Sequence, residues 1–481
     1  MSFVKKYIAL IIFITLGLSG CGVETAVVVR DMSSLPPATT KDVFQDSDDA
    51  IPRHQIRLGI LLPLSGPDAA IGRALLNSAT LALFDAGDKR LTLLPHDTGG
   101  TAEGAANAMT ALLLQNPDLV IGPVFSHAIT AIKAMAEEAG INIIGFSSDY
   151  TVAGDGVFLL NFPLEEQIER VIRYTSDQGY ARFAALVPET TYGTRALEIF
   201  ASNVRHLDRE LAAMEFYPAE SGKLVGPVKN IARYNERRKR YNREIDFLEG
   251  LGEDDDFAQE MLNELKNEET IGDVKFDAIL LPEGGAMLTT LAAWVSYYEI
   301  DPGKVKLLGT GLWDDEMLFL EPQLYGGWFA APDHHAATLF LQRYRQIYSQ
   351  GGPRLATLAY DAVALAATLV RQEKFPDFST EQITNENGFS GIEGLFRFSA
   401  DGQIERGLAV YEVGAKSFAI IDPAPKSFVE RDMPESIMVT ESESVSEDYS
   451  AAAFPEPLPL NDGRPFPYNP TQEDVAEKND Q

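Results

Sequence analysis

A single cysteine, Cys21, stands among 481 residues. No intramolecular disulfide can form, and a zinc site built from several thiolates is excluded. Positive charge is also scarce: 40 Lys+Arg face 71 Asp+Glu, for a formal net charge of -31. Phosphate backbones are held by clustered Lys and Arg, so this balance argues against nucleic acid as a partner and against a broad basic face for anionic lipid. Several catalytic patterns are missing: the phosphate loop G-x-x-x-x-G-K-[ST], the metal helix H-E-x-x-H and the nucleophile elbow G-x-S-x-G. Gly309-Thr310-Gly311 lacks the third glycine of a dinucleotide turn. His334-His335 has no further His or Cys cluster beside it and reads as an exposed pair at a helix start. Ser126 and His127 adjoin in sequence, but a nucleophile and its base must meet in space. The expectation is a chain with no catalytic residue, metal or cofactor. Hydrophobic residues make up 45%, enough for a real core.

The amino terminus reads as an address. Lys5 and Lys6 precede an almost purely apolar run from Tyr7 to Leu18. A bilayer-spanning helix needs roughly 20 apolar residues, so this run suits the core of a signal peptide over residues 1–20. Leu18-Ser19-Gly20-Cys21 resembles the bacterial lipobox, in which the cysteine is lipidated and becomes the first residue of the mature chain. That resemblance implies a lipid anchor at Cys21 on the periplasmic side of the cell envelope. Gly22, not Asp, follows the cysteine, which by the same resemblance favours the outer over the inner membrane.

Residues 21–55 have linker composition, with Ser33-Ser34, Pro36-Pro37 and an acidic patch at 46–49. From Ile56 short apolar strands alternate with helical stretches. The pattern predicts strands at 56–64, 91–97, 119–122 and 141–147, and helices at 71–87, 102–115 and 128–139. It restarts at Leu164, where Ile168, Val171 and Ile172 continue one helical stripe. Strands follow at 183–188, 276–282 and 304–309, with helices at 194–211 and 286–299. Such alternation means βαβ units, and continuous apolar strands mean sheets covered on both faces. The fold class is therefore α/β, with two lobes, each a mostly parallel sheet flanked by helices. Helices at 338–350 and 356–372 and short strands at 394–398, 408–413 and 417–421 complete it. The first lobe is expected over 56–163 and 333–393, and the second over 164–332 and 394–423. A charged stretch at 224–269, with Arg237-Arg238-Lys239-Arg240 and Glu253-Asp254-Asp255-Asp256, reads as a solvated helical insert. Residues 424–481 are acidic, proline-rich and without periodicity; they read as a disordered tail that folding does not need.

In open α/β sheets ligands bind at the carboxyl ends of strands, where helix N-termini offer free N–H groups. In the first lobe those loops carry Ser65, Ser126, and Ser147-Ser148-Asp149. In the second they carry Tyr192, Glu283, and Trp313-Asp314. Hydroxyls and helix N-termini on one lobe suit a carboxylate, while an aromatic and an acid on the facing lobe suit an apolar group and an amine. Each Ser or Asp alone reads equally as a helix cap.

Order and spacing across 56–423 resemble the leucine-binding class of type I periplasmic binding proteins. The runs that carry this are ILLPLSG, VIGPVFSHAITAIKAMAEEAGINIIGFSSD, LVPETTYG and GIEGLFRFSADGQIERGLAVYEV. DAILLPEGG, LLGTGLWDDE and GGWFAAPD are closest in appearance to the penicillin-binding-protein activator lipoproteins. By resemblance, Ser126 holds a ligand carboxylate, and Ser147, Ser148 and Asp149 sit in the turn that binds carboxylate and amine. The acid that holds the amine is replaced by Gly311, with Asp314 or Glu283 as substitutes. The resemblance implies an activator of peptidoglycan synthesis whose partner is a penicillin-binding protein. The alternative is the amino-acid-binding lipoprotein of an ABC importer, whose partner is a permease.

Overall fold

The computed structural model describes residues 55–251, 255–266, 268–372, 377–428 and 452–453. Cys21 and its lipidation motif lie outside the described residues.

The first lobe is built on five parallel strands, β1 (Ile56–Leu62), β2 (Leu91–Asp97), β3 (Leu119–Ile121), β4 (Ile143–Gly145) and β5 (Val157–Leu159), in the order β2-β1-β3-β4-β5. Helices α1 (Ala69–Ala86), α2 (Ala102–Leu113) and α3 (Ser126–Ala139) connect them. β3, β4 and β5 are buried throughout because helices cover both sheet faces, so their sequences are apolar without alternation. The chain then enters the second lobe through α4 (Leu164–Asp177), whose stripe Ile168, Val171 and Ile172 is fully buried.

The second lobe holds β6 (Arg182–Pro188), α5 (Thr191–His206), β7 (Glu210–Tyr217), α6 (Val225–Ile231), α7 (Tyr234–Gly250), α8 (Asp256–Leu265), β8 (Ala278–Leu280), α9 (Gly285–Tyr297), β9 (Lys306–Leu308) and β10 (Trp328–Ala331). The sequence reading missed β7. It is an edge strand whose two faces are exposed or half-buried up to Tyr217, and its apolar residues 211–214 are too few and do not alternate. In the charged insert the four-residue basic run is not uniformly solvated. Arg237 turns inward, donates from Nε to the Gly272 carbonyl at 2.7 Å and pairs with Glu299 at 3.0 Å. That anchor ties α7 to the body of the lobe.

After β10 the chain returns to the first lobe as α10 (His334–Tyr348), α11 (Ala356–Gln372) and α12 (Thr380–Ile383). Helix α11 packs along α1 and is apolar almost all round. A hairpin sheet follows, β11 (Phe389–Gly391), β12 (Gly394–Phe398) and β13 (Ile404–Arg406). The last crossing leads to β14 (Ala409–Val413), antiparallel to β10, and β15 (Phe418–Asp422). The two lobes are thus joined by three passages, at residues 160–163, 332–333 and 407–408. This corrects the expected division at residue 394. Phe396, Phe398 and Ile404 belong to the first lobe's core, where Phe398 packs 5.5 Å from Phe158, whereas Leu408 and Val410 belong to the second.

A second correction concerns the carboxyl-terminal stretch. Phe428 is 0% exposed; its ring lies 4.4 Å from the Arg397 guanidinium and covers Gly388. Ala452-Ala453 pairs in parallel with Phe389-Ser390 of β11. The rest of 429–481 lies outside the described residues. Truncation after Ala424 is therefore expected to destabilise by about 1.5–3 kcal/mol, the worth of one fully buried large apolar side chain. A melting curve checks this: truncation after Phe428 should melt several degrees above truncation after Ala424.

Candidate functional site

Both sheets have a switch point among their parallel strands, between β1 and β3 in the first lobe and between β6 and β8 in the second. Loops diverge there and leave a crevice at the carboxyl ends of the strands. In the first lobe the turn after β3 is set by Gly122, at φ +87, where a Cβ would meet the Leu61 carbonyl oxygen at 2.2 Å. Phe146 N–H donates to the Pro123 carbonyl at 2.9 Å, which ties the turn after β4 to the turn after β3.

That tie brings four predicted residues together. Ser126, Ser147, Ser148 and Asp149 line one cavity of about 470 Å³, walled by Phe125, Phe146, Phe162, Leu355 and Leu358. Ser126 is the first residue of α3, so helix N–H groups open beside its hydroxyl. Asp149 accepts from Thr151 Oγ at 2.6 Å and Thr151 N–H at 3.1 Å. The Thr151 hydroxyl, the Thr151 N–H and the Ser126 hydroxyl hold its carboxyl below the ordinary range against the opposing effect of partial burial. Ser147 is buried; its Oγ accepts the Asp149 N–H at 3.1 Å and its carbonyl accepts Asn161 Nδ2 at 2.7 Å. Its role is to shape the turn. Ser148 is exposed at the cavity. Ser65 does not line this cavity. It stands on the loop after β1, where its hydroxyl and the N–H groups of Leu64, Ser65 and Gly99 hold the Asp97 carboxyl below its usual range.

The second lobe places its predicted residues differently. Trp313 is a correction: its side chain is 0% exposed in the lobe core, not on the cleft wall. Its Nε1 donates to the Leu281 carbonyl at 3.1 Å, and Gly309 and Gly327 have no Cβ because the indole occupies that space. The indole accounts for Gly309, and the Gln167 amide oxygen, 2.8 Å from where a Cβ would stand, accounts for Gly311, without a nucleotide. Tyr192 exchanges a 2.9 Å hydrogen bond with Thr310, and burial pushes its phenol up to about 12. Glu283 accepts from Tyr217 Oη at 2.8 Å and from the Gly284 N–H at 3.1 Å; burial and that carboxylate push the Tyr217 phenol up. Asp314 pairs with Arg354 of the first lobe, so neither facing acid stands unengaged for a ligand amine.

Sequence reasoning missed Arg354, Leu355 and Phe162. Leu355 and Leu358 lie over two hundred residues from Ser126, and Leu358 reads only as part of an apolar helix stripe. His127 does not pair with Ser126. Its Nε2 faces the Gly100 carbonyl at 3.0 Å, and the ring stacks on Phe125 with centroids 5.5 Å apart. Asp333 caps α10 by accepting the His335 N–H at 2.9 Å, and His335 is exposed.

Residues 55–235 match a family described as periplasmic binding protein. An uncharacterized protein of Rickettsia prowazekii is 25% identical over 180 residues, which is 37% of this chain and 48% of that one. The chain therefore matches about half the length of this relative. Among solved structures, a branched-chain amino acid ABC transporter protein from Rhodospirillum rubrum superposes with a TM-score of 0.59 at 15% identity, covering 76% of this chain and 99% of that one. An ABC transporter substrate-binding protein from Sphaerobacter thermophilus gives 0.55 at 17% identity, over 77% and 98%. A solute-binding protein of an ABC transporter from Rhodopseudomonas palustris, in complex with 3,4-dihydroxybenzoic acid, gives 0.50 at 16% identity, over 77% and 96%. Residues 55–235 thus match the periplasmic-binding-protein family, and two mostly parallel sheets joined by three passages give the chain the fold of these solved structures.

Proposed function

We propose that this protein is a non-enzymatic lipoprotein of the cell envelope, anchored through Cys21, whose cleft takes a small carboxylate with an apolar or aromatic body. The observation that carries this reading is the single cavity lined by Ser126, Ser148 and the first turn of α3 together with Phe125, Phe146, Phe162 and Leu358. Hydroxyl and N–H donors suit the carboxylate, and the rings and leucines suit the body. Glu283 is engaged by Tyr217, Asp314 by Arg354, and Asp149 at the cavity itself by Thr151 and Ser126, which argues against an α-amino group as the main determinant. The aromatic acid in the Rhodopseudomonas palustris neighbour is of the same chemical class. The membrane partner in this reading is an ABC permease.

A second reading has its own support. The same engaged acids fit a cleft kept as scaffold, as in a penicillin-binding-protein activator, with α7 and α8 as the arm toward a peptidoglycan synthase and Phe247 and Phe257 exposed on it. Calorimetric titration against benzoates, aliphatic carboxylates and the matching amino acids separates the two. Saturable heat with a carboxylate, not improved by an α-amine, is the expected result. Silence across the panel, with a synthase retained by the full-length protein and lost when α7–α8 is deleted, would overturn it in favour of the activator.

A further inference from the structure

The cavity of the first lobe has one more polar wall. Asn161 follows β5 on the first passage between the lobes, lines the cavity and is 4% exposed. Two bonds pin it. Its Nδ2 donates to the Ser147 carbonyl at 2.7 Å, and its backbone carbonyl accepts Arg406 Nε at 2.7 Å. The first bond fixes which way the amide faces, because only its NH2 end can donate to a carbonyl. Oδ1 is the other end, and it has no hydrogen-bond partner among the described residues. Buried polar atoms are nearly always paired, and an acceptor left unmet costs free energy. The bond to Ser147 accounts for Nδ2 and leaves Oδ1 unexplained.

We infer that Asn161 is a specificity-determining residue whose Oδ1 accepts a hydroxyl of the ligand, so that the cavity takes a hydroxylated carboxylate. This rests on the carboxylate reading above. The ionised carboxyl group has only acceptors, and it goes to donors: the Ser126 and Ser148 hydroxyls and the N–H groups that open α3. It has nothing to give Oδ1, so a plain carboxylate leaves that acceptor unpaired. The second polar group must therefore sit on the ligand's body, and it must be a donor. A hydroxyl fits there better than an ammonium. Oδ1 carries no charge, and Asp149 in the same lining is already engaged by Thr151 and Ser126. A cation would lose its water without gaining a free counter-charge, whereas a neutral donor meets a neutral acceptor at small desolvation cost. Because Asn161 is held at both its amide and its backbone before any ligand arrives, little entropy is lost when the bond forms.

The test is calorimetry on the full chain with matched sets of carboxylates. The first set is benzoate, the hydroxybenzoates and the methoxybenzoates. The second is 4-methylpentanoate with its 2-hydroxy and 2-amino analogues. The hydroxylated member whose donor reaches Oδ1 is expected to bind about 10-fold more tightly than its parent, equivalent to about 1.4 kcal/mol. Methyl ethers and the 2-amino analogue should not share the gain. Asn161→Ala should bring the hydroxylated member down to its parent, with the parent's own affinity retained. Melting curves establish that the variant is folded, and Asn161→Ser, a smaller change, carries the same comparison if alanine prevents folding. Equal binding of parents and hydroxylated members by the wild type would overturn the inference and leave the carboxylate reading standing. So would a hydroxyl gain undiminished in a folded variant. A 2-amino analogue tighter than its hydroxyl counterpart, or no heat from any member of either set, would overturn both.

Discussion

Replacing Asp361 with alanine is expected to destabilise the protein by about 2–4 kcal/mol at pH 5, the cost of leaving unpaired the two backbone N–H groups it accepts. Asp361 lies on α11 with no exposure to solvent. It accepts the Ile392 N–H at 2.8 Å and the Glu393 N–H at 3.3 Å, and so closes the turn between β11 and β12. Gly391 has no Cβ because the carboxylate stands 2.5 Å from where one would be. Burial pushes the carboxyl up to about 7, while the Arg406 charge and the two N–H groups pull it down. Arg406 is itself buried, with Nε donating to the Asn161 carbonyl at 2.7 Å and Nη1 to the Glu393 carbonyl at 3.2 Å. Alanine would leave two backbone donors unsatisfied and the Arg406 charge with one fewer counter-ion. The sign of the pH dependence follows from the raised folded value. Between the ordinary carboxylate range and about 7 the folded state binds the proton more readily, so this group's contribution falls as pH rises through that window. Urea unfolding at pH 5 and pH 8 checks both points. A loss below about 1 kcal/mol, within the net worth of an ordinary hydrogen bond, would mean the carboxylate does not hold the turn.

The second large effect is on binding. With a carboxylate ligand identified by titration, Ser126→Ala with Ser148→Ala is expected to weaken affinity by more than about 100-fold. Each hydroxyl bond to a charged oxygen is worth about 1.5–3 kcal/mol, and 1.4 kcal/mol is tenfold. The fold should survive, because Ser148 is exposed and Ser126 is half-buried at a helix start. Ser147→Ala should behave differently. Its oxygen accepts the Asp149 N–H inside the turn, so its loss should lower the melting temperature as well as affinity. An unchanged dissociation constant in the double variant would place the carboxylate elsewhere.

Much of the first lobe was legible because its chemistry is local. The apolar runs at 56–62 and 119–121, each ending in a Gly or Pro turn before a helix, define strand, turn and helix N-terminus by their own residues. The serines at 126, 147 and 148 could be placed on loops at one sheet edge for the same reason. Edge strand β7 was not legible, since a strand with no fully buried face carries no alternation to read. Phe428 was hidden by the acidic composition around it, because a single aromatic has no periodicity.

The amino-acid sequence alone determined the α/β class, the two series of βα units, the loops at their carboxyl ends and the scarcity of thiol and positive charge. Those features follow from backbone geometry and from the burial of apolar residues a few positions apart. Tertiary structure alone decided which loop residues remain available. Trp313 is an aromatic after a glycine turn in both descriptions, but whether it faces a cleft or a core depends on the empty Cβ positions of Gly309 and Gly327. Asp314 is an acid on a cleft loop until Arg354, forty residues on, is found opposite it. Pairing of buried charges is set by distances across lobes, and long-range distance is the one quantity that residue order does not carry.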